Sequence, residues 1–534
     1  MAKKIGALIL SVILGSTAFP PWEWSAGAWL FLVPLMWVGR LPGRVAGMYW
    51  LGGFLTWLIT IGWVHHVTWP GALLLCAYLA LYWVVWGWFW QHLCREVQAW
   101  SSWRNVTISF WAATGWVALD FVRSHLFSGF PWHKIGITQY HHLPLVQLAS
   151  LGGVDLISWL VIFGNAMLAL TGIRLVREIR REQKVKSHWD FSVAAVLIGI
   201  SLVWGTQKMI RKPVESEPLD VVLVQGNVAQ DEKFSPKWEA QIISRYVNYT
   251  QLAEAQSPDL IVWPETATGS TFFKDITFTS EIQGLIKETN ASLLMGALDY
   301  DDENYYNAAF LLNGQRDDYQ VYRKQHLVPF GEFLPGRRWA PWLENWIPIP
   351  LDYQPGKGSG ILTWTKKDKK IPLGVLICFE DTMSYLARER VKEGARLLVN
   401  LTNDGWFKNS SEPWQHVLNA VFRCVETGLP MIRCANTGVS CVIDGNGRVV
   451  QLLTDEQGKK VEVEGFLRAT VLVPRDPRPT WFLRGGHFFS LLCFIITGVF
   501  LTYEFYRFYR MGGVAGALRA AQEVSLTSQL LKQD

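Results

Sequence analysis

Eight apolar runs constrain this chain more than any other feature. They fall near residues 5–20, 25–39, 45–64, 70–92, 105–122, 154–173, 191–208 and 487–506. A run of about 20 residues with few charges is long enough to cross a bilayer as a helix. Backbone polar groups inside a bilayer must be satisfied within the segment, so a polytopic α-helical domain of about eight transmembrane helices is expected. Residues 1–20 also have the look of a signal peptide, with Lys3 and Lys4 ahead of an apolar stretch and small residues from Gly15 to Ala18. Further runs follow at once, which favours an uncleaved first helix. Half of the 534 residues are hydrophobic and only 18% are charged. The net charge of +5 is small for such a length and gives no ground for nucleic-acid binding.

Loop charges set the orientation. Lys3 and Lys4, Arg40 and Arg44, Arg95 and Arg104, the run RLVREIRREQKVK from Arg174, and Arg507, Arg510 and Arg519 fall on alternate connections. The loops between them carry almost no basic residues, which is the positive-inside pattern. Both termini are therefore expected in the cytoplasm. The chain divides into a seven-helix membrane domain (1–209), an extracytoplasmic domain (210–484), a last membrane helix (485–510) and a cytoplasmic tail (511–534). About twenty of the 29 tryptophans precede residue 210, many near span ends, where an amphipathic indole suits the interface.

The extracytoplasmic segment has a different texture. Short aliphatic runs recur in LDVVLVQGN, LIVWPE, ASLLMGALD, PLGVLICFE, ARLLVNLTND and MIRCANTGVSCVIDGNG, with helix-like stretches at 238–256 and 412–428. Continuous apolar strands alternating with helices predict an α/β domain whose sheets are buried on both faces. Polar residues at the strand ends then gather on one rim. Glu265 ends LIVWPE, Lys324 and Glu332 stand in YRKQHLVPFGEF, and Cys378 with Glu380 ends GVLICFED. Singly, each has a structural reading: an ion pair, a loop acceptor, a small buried hydrophobe. Together a thiol, a carboxylate and an ammonium are the parts of a covalent acyl-transfer site. The seven cysteines have no CxxC pair, which argues against a zinc site or a disulfide framework.

The motifs VWPET, YRKQHLVPFGE, ICFED and NLTNDGWF, with GFPWHKIGITQ after the fifth run, resemble the apolipoprotein N-acyltransferase family, a membrane-embedded branch of the nitrilase (carbon–nitrogen hydrolase) superfamily. The likeness covers nearly the whole chain. It implies a nitrilase-like αββα sandwich and a bacterial inner-membrane location with a periplasmic catalytic domain. It assigns Glu265 as general base, Lys324 as catalytic lysine, Cys378 as nucleophile, and Glu332 and Glu380 as supporting glutamates. The implied reaction moves an sn-1 acyl chain from a phospholipid, with phosphatidylethanolamine the expected donor, through a thioester to the α-amino group of a diacylglyceryl-cysteine lipoprotein. That is the last step of lipoprotein maturation. Thioester to amide runs downhill, so no cofactor or metal is expected, and no nucleotide-binding fingerprint is present. Phe379 stands where the family has Tyr, and Phe234 where it has Trp.

The stretch FLPGRRWAPWLENWIPIPL after Glu332 reads as an interface-dipping lid for lipid entry, carried by Arg337, Arg338, Trp339, Trp342 and Trp346. Two other classes fit parts of the pattern. A membrane-tethered amidase would use the same Cys, Glu and Lys but release the acyl group to water. A metal-binding or transport protein would use His65, His66, His125, His133, His141 and His142, yet no HxxxH helix or acidic set accompanies them. The orientation is open to direct test with single-cysteine variants and an impermeant thiol reagent. Cysteines within 210–484 should label in intact spheroplasts while those within 174–188 stay protected; labelling of the basic loop would reverse the topology.

Overall fold

The computed structural model of the protein describes residues 2–39, 45–95, 101–181, 187–212, 214–313, 319–339, 341–342, 352–366 and 369–510. Trp346, Arg40, Arg44, Arg519, the middle of the basic run from Arg174 and the tail 511–534 lie outside the described residues.

Among the described residues five helices are long and apolar enough to cross a membrane: Ala46–His66, Trp69–Arg95, Ala149–Arg180, Trp189–Met209 and Phe488–Arg510. They make the chain a multi-pass membrane protein. The expected count of eight is not established. Ala2–Thr17 has only 16 residues, and Ser102–His125 buries Asp120 and Arg123. The run at 25–39 is broken into Ser25–Ala28 and Val33–Gly39. Asn165 fills the break: its Oδ1 accepts from the Leu32 amide at 3.0 Å and its Nδ2 donates to the Ala28 carbonyl at 2.9 Å. A side chain on a neighbouring helix thus satisfies backbone groups that a continuous helix would have paired itself.

Among the described residues twelve strands build the second domain: β1 (Ser216–Gln225), β2 (Leu260–Val262), β3 (Ser292–Asp301), β4 (Asn304–Leu312), β5 (Tyr319–Arg323), β6 (Ile361–Lys366), β7 (Lys369–Ile377), β8 (Leu397–Thr402), β9 (Met431–Ala435), β10 (Cys441–Ile443), β11 (Val449–Leu452) and β12 (Gly465–Pro474). They form two six-stranded sheets, ordered β12-β1-β2-β3-β4-β5 and β11-β10-β9-β8-β7-β6. The three strands β1, β2 and β3 pair in parallel, as do β7, β8 and β9.

Alternation along each strand explains the layers. Leu219, Val221 and Leu223 point between the sheets, where they meet Val375, Ile377, Val399 and Leu401. Val222 and Val224 point the other way, onto Ile242, Ile243 and Tyr246 of the helix Glu239–Glu254 and Ile282 of the helix Ile276–Glu288. On the second sheet Leu376 and Leu398 face the helices Ser384–Lys392 and Glu412–Thr427. The result is an αββα sandwich, as the sequence predicts.

The helix Glu412–Thr427 is buried along its whole length because the membrane domain covers the side turned away from the sheet. Gln415 is the polar tie. Its Nε2 donates to the carbonyls of Pro20 at 3.2 Å and Thr60 at 2.9 Å, while its Oε1 accepts from the indoles of Trp63 at 2.9 Å and Trp132 at 3.3 Å. Further along, Glu426 accepts from the Val154 amide at 3.2 Å. That amide is freed where the helix Ala149–Arg180 breaks at Gly152 and Gly153, the latter at φ +70.

Candidate active site

The candidate residues sit where strands stop. β2 ends at Val262, and Pro264, which has no amide hydrogen to donate, turns the chain so that Glu265 lies buried at the rim. The turn lies tight against β3. A Cβ at Gly296 would stand 2.3 Å from the Pro264 carbonyl, so that strand position requires glycine. Lys324 follows β5 directly and is 1% exposed. Its Nζ lies 2.9 Å from Glu332 and 3.4 Å from Oε1 of Glu265. Asn307 of β4 completes the set by donating from Nδ2 to Glu265 at 2.6 Å and to Glu332 at 2.9 Å. Burial disfavours a charged Lys324, but the Glu332 and Glu265 carboxylates win and hold its ammonium above the usual lysine range.

Cys378 comes from the opposite sheet, one residue past β7, with φ +52. A non-glycine residue in that region costs about 1–3 kcal/mol and persists only where its surroundings hold it. Here the Cys378 carbonyl is gripped by Asn400 Nδ2 at 3.1 Å and His416 Nε2 at 3.3 Å. Burial, with Glu265 beside it, pushes the Cys378 thiol up to about 12. At rest the group is a neutral thiol, and attack on a carbonyl requires a base to take its proton.

His416 belongs to a buried charge network beneath Cys378. Its Nε2 lies 2.9 Å from Asp381, its Nδ1 3.0 Å from Asp404 and 3.4 Å from Glu412. Arg433 pairs with Asp381 at 2.8 Å and Asp404 at 3.2 Å. Burial and Arg433 oppose a charge on His416, yet the Asp381 and Asp404 carboxylates hold the imidazole well above the usual histidine range. Asp404, Glu412 and His416 offer ligand atoms within 4.8 Å of one another. With Arg433 in the same cluster and both ring nitrogens of His416 turned to carboxylates, they are arranged as paired charges rather than as a cage around a cation.

Glu380 is placed as a brace between the strand ends. Its carboxylate accepts from the Tyr322 hydroxyl at 2.8 Å and from the amides of Gln325 at 2.8 Å, His326 at 3.0 Å and Ile377 at 2.8 Å. It therefore ties the segment just after Lys324 to the residue just before Cys378. Phe379 stacks on Trp132, in the membrane-domain loop after the helix Ser102–His125, ring centroids 6.1 Å apart, so the aromatic beside the thiol contacts the membrane half. Trp339 and Trp342 are 88% and 62% exposed on the segment after Glu332, and Arg338 is exposed beside them. Arg337 is half-buried and pairs with Asp352 at 3.0 Å.

The structure thus brings Glu265, Lys324 and Glu332 into contact, sets Cys378 near them, and gives Glu380 a bracing position. Sequence reading missed Asn307, Asn400, His416 and Arg433. The available signal was a polar residue inside an otherwise apolar buried run, as in YYNAAFLL and LLVNLT. Of the loop histidines weighed as metal ligands, His141 pairs with Glu23 at 3.1 Å and His133 stacks on Phe19 at 4.1 Å.

A strand-end cysteine facing a lysine and two glutamates across an αββα sandwich, set on apolar helices, defines a membrane-attached carbon–nitrogen hydrolase domain. The carbon–nitrogen hydrolase profile matches residues 221–463. The apolipoprotein N-acyltransferase N-terminal domain profile matches residues 11–167. The apolipoprotein N-acyltransferase of Geobacter metallireducens is 34% identical over 83% of this chain and 85% of its own length. That of Methylococcus capsulatus is 33% identical over 82% of this chain and 85% of its own. A carbon–nitrogen hydrolase structure from Helicobacter pylori aligns at 17% identity and TM-score 0.37, covering 48% of this chain and 89% of that one. The chain belongs to the apolipoprotein N-acyltransferase family.

The brace gives a testable expectation. In Glu380→Gln an amide group must face amide donors that now point at a carboxylate oxygen, leaving a buried donor unsatisfied at about 1–3 kcal/mol. Thermal unfolding in detergent should fall by several degrees and acyl transfer by at least tenfold. Unchanged turnover would show that Lys324 and Cys378 keep their places without the brace.

Proposed function

We propose that the protein acylates lipoproteins by a two-step transfer through Cys378, with Glu265 as the base and Lys324 as the oxyanion donor. As a member of its family it is an acyltransferase with lipid and lipoprotein substrates. The observation that carries the mechanism is the single buried ammonium of Lys324 between the carboxylates of Glu265 and Glu332, within electrostatic reach of the Cys378 thiol.

In the first half-reaction Glu265 takes the thiol proton as Cys378 attacks the sn-1 ester carbonyl of a phospholipid, for which phosphatidylethanolamine is the donor we expect. Lys324 and a backbone amide hold the tetrahedral oxyanion, an effect of about 3–4 kcal/mol per donor in comparable sites. Collapse breaks the ester bond, Glu265 returns the proton to the departing lysophospholipid oxygen, and a thioester remains. In the second half-reaction the α-amino group of a diacylglyceryl-cysteine lipoprotein attacks that thioester. Glu265 takes a proton from the amine and passes it to the leaving thiolate, which restores the resting enzyme. The catalytic domain works on the periplasmic side of the inner membrane, with both termini cytoplasmic.

Location favours lipid substrates. Exposing an acyl chain to water costs about 0.8 kcal/mol per methylene, so a site fed from the bilayer avoids a large extraction barrier. A cavity of about 180 Å³ opens at the seam between the two halves, lined by Lys134 and His125 from the membrane side and by His326, Thr382 and Arg423 from the catalytic side. The segment carrying Arg337, Arg338, Trp339, Trp342 and Trp346 serves as the entry lid. The high exposure of Trp339 and Trp342 supports this, because large indoles left uncovered by protein suit an interface.

Intact-mass measurement tests the nucleophile. The parent enzyme incubated with phospholipid should gain one acyl-sized adduct, and Cys378→Ala none, while the buried Cys424, Cys434 and Cys441 can each be replaced by Ala with transfer retained. An adduct on the Cys378→Ala protein would remove Cys378 from this role.

The lid has its own test. Replacing Trp339, Trp342 and Trp346 together by Ala leaves Glu265, Lys324 and Cys378 chemically intact. Acylation from bilayer phospholipid should drop at least tenfold, while transfer from a short-chain, water-soluble thioester stays within twofold of the parent. Equal loss with both donors would mean that the tryptophans support the fold.

A further inference from the structure

Lys233 lies under the candidate base, next to Phe234 at the end of the stretch VQGNVAQDEKF, and has no role in the reading given above. It closes the short helix Gln230–Lys233, is 2% exposed, and its Nζ donates to the main-chain oxygen of Glu265 at 2.8 Å. The chain wraps tightly over it: a Cβ at Gly269, where φ is +76, would stand 2.3 Å from the Lys233 carbonyl. Among the described residues no carboxylate is bonded to its ammonium; the acidic groups within electrostatic reach of it are Glu265 and Cys378. A buried cation held by a carbonyl alone is unfavourable unless nearby negative charge compensates it. Glu265 and Glu332 are two buried carboxylates sharing one ammonium, that of Lys324, so the cluster lacks one positive charge. Lys233 supplies it.

We propose that Lys233 is a positioning residue for the reacting pair, clamping the main chain of Glu265 and furnishing the second positive charge that a Cys378 thiolate beside that carboxylate needs. The proposal rests on the roles given above to Cys378 and Glu265. Glu265 faces Lys233 from the end of β2 and Cys378 from the end of β7, while Lys324 and Glu332 share the Glu265 cluster. Burial lowers the Lys233 ammonium to about 7. Its support for the thiolate is therefore present in mild acid and fades as pH rises through that value.

The test is the rate at which iodoacetamide alkylates Cys378 in the full-length detergent-solubilised enzyme, followed by the mass of the Cys378 peptide between pH 5.5 and 9. Lys233→Gln keeps a donor for the Glu265 carbonyl and loses the charge; Lys233→Met loses both. At pH 6 both variants should react about tenfold more slowly than the parent, the equivalent of one pKa unit on the thiol. The ratio should close toward one by pH 9. A ratio that stays constant with pH, or rates equal to the parent throughout, would overturn the proposal and leave Lys233 a structural residue. The parent enzyme alone gives a second reading that needs no variant. Its logarithmic rate should climb with less than unit slope from pH 6 to 8, and a straight unit-slope line would overturn the proposal as well. Alkylation reports the influence of Lys233 on the thiol whether or not Cys378 carries the acyl group. The adduct on Cys378→Ala decides that other question separately.

Discussion

The helix Glu412–Thr427 is the joint on which both halves of the molecule depend. One side packs under β7, β8 and β9 and sends His416 to the carbonyl of Cys378. From the adjacent position Gln415 reaches the other way and bonds the carbonyls of Pro20 and Thr60 and the indoles of Trp63 and Trp132. Two neighbouring residues on one rigid element thus fix the thiol relative to the ends of the membrane helices nearest the second domain. Phe379, next to Cys378, repeats the link by stacking on Trp132. The position of Cys378 relative to the membrane helices is set by packed side chains and not by a linker, which suits a family whose substrates are lipids.

Buried charge is the other constraint. Asp381, Asp404, Glu412, His416 and Arg433 are all 1% exposed or less, as is Lys324. Removing one partner from such a set typically costs about 3–5 kcal/mol, because the charge left behind stays out of water. The compensation holds Cys378 in a left-handed backbone conformation that nothing in its own side chain favours. The strain at that one residue is therefore kept by a network whose members lie on four separate segments of the chain.

Much of this was legible in the sequence, and the rest was not, for physical reasons. Continuous apolar strands revealed the doubly buried sheets, and the strand-end positions of Glu265, Lys324 and Cys378 revealed the rim, since a polar residue ending an apolar run has few other places to go. Asn307 and His416 were hidden because their value lies in partners more than 10 residues away. Asn307 works through Glu265 and Glu332, His416 through Asp381 and Asp404. The break between Ala28 and Val33 was hidden for the same reason: hydropathy records that a stretch is apolar, whereas the broken helix depends on Asn165 from a distant helix. The brace by Glu380 shows the converse case. Its adjacency to Cys378 was plain in ICFED, but only the fold shows that its carboxylate turns back to the strand ends.

A thiol pushed up to about 12 is a poor nucleophile until a base takes its proton, and on the proposed reading that base is already engaged by Lys324 and Asn307. The resting site is therefore quiet. Water entering it alone meets a neutral thiol and a carboxylate whose Oε1 is occupied by two donors. An ester carbonyl changes the balance, because the oxyanion forming on it draws the Lys324 ammonium and lessens its hold on Glu265, which then accepts the proton more readily. Activation of the nucleophile and stabilisation of the oxyanion become one movement of charge, triggered by the acyl donor itself. On the same reading, an enzyme that holds an acyl group for an amine gains from this coupling, since the thiol is fully activated only when an ester carbonyl is present to receive it.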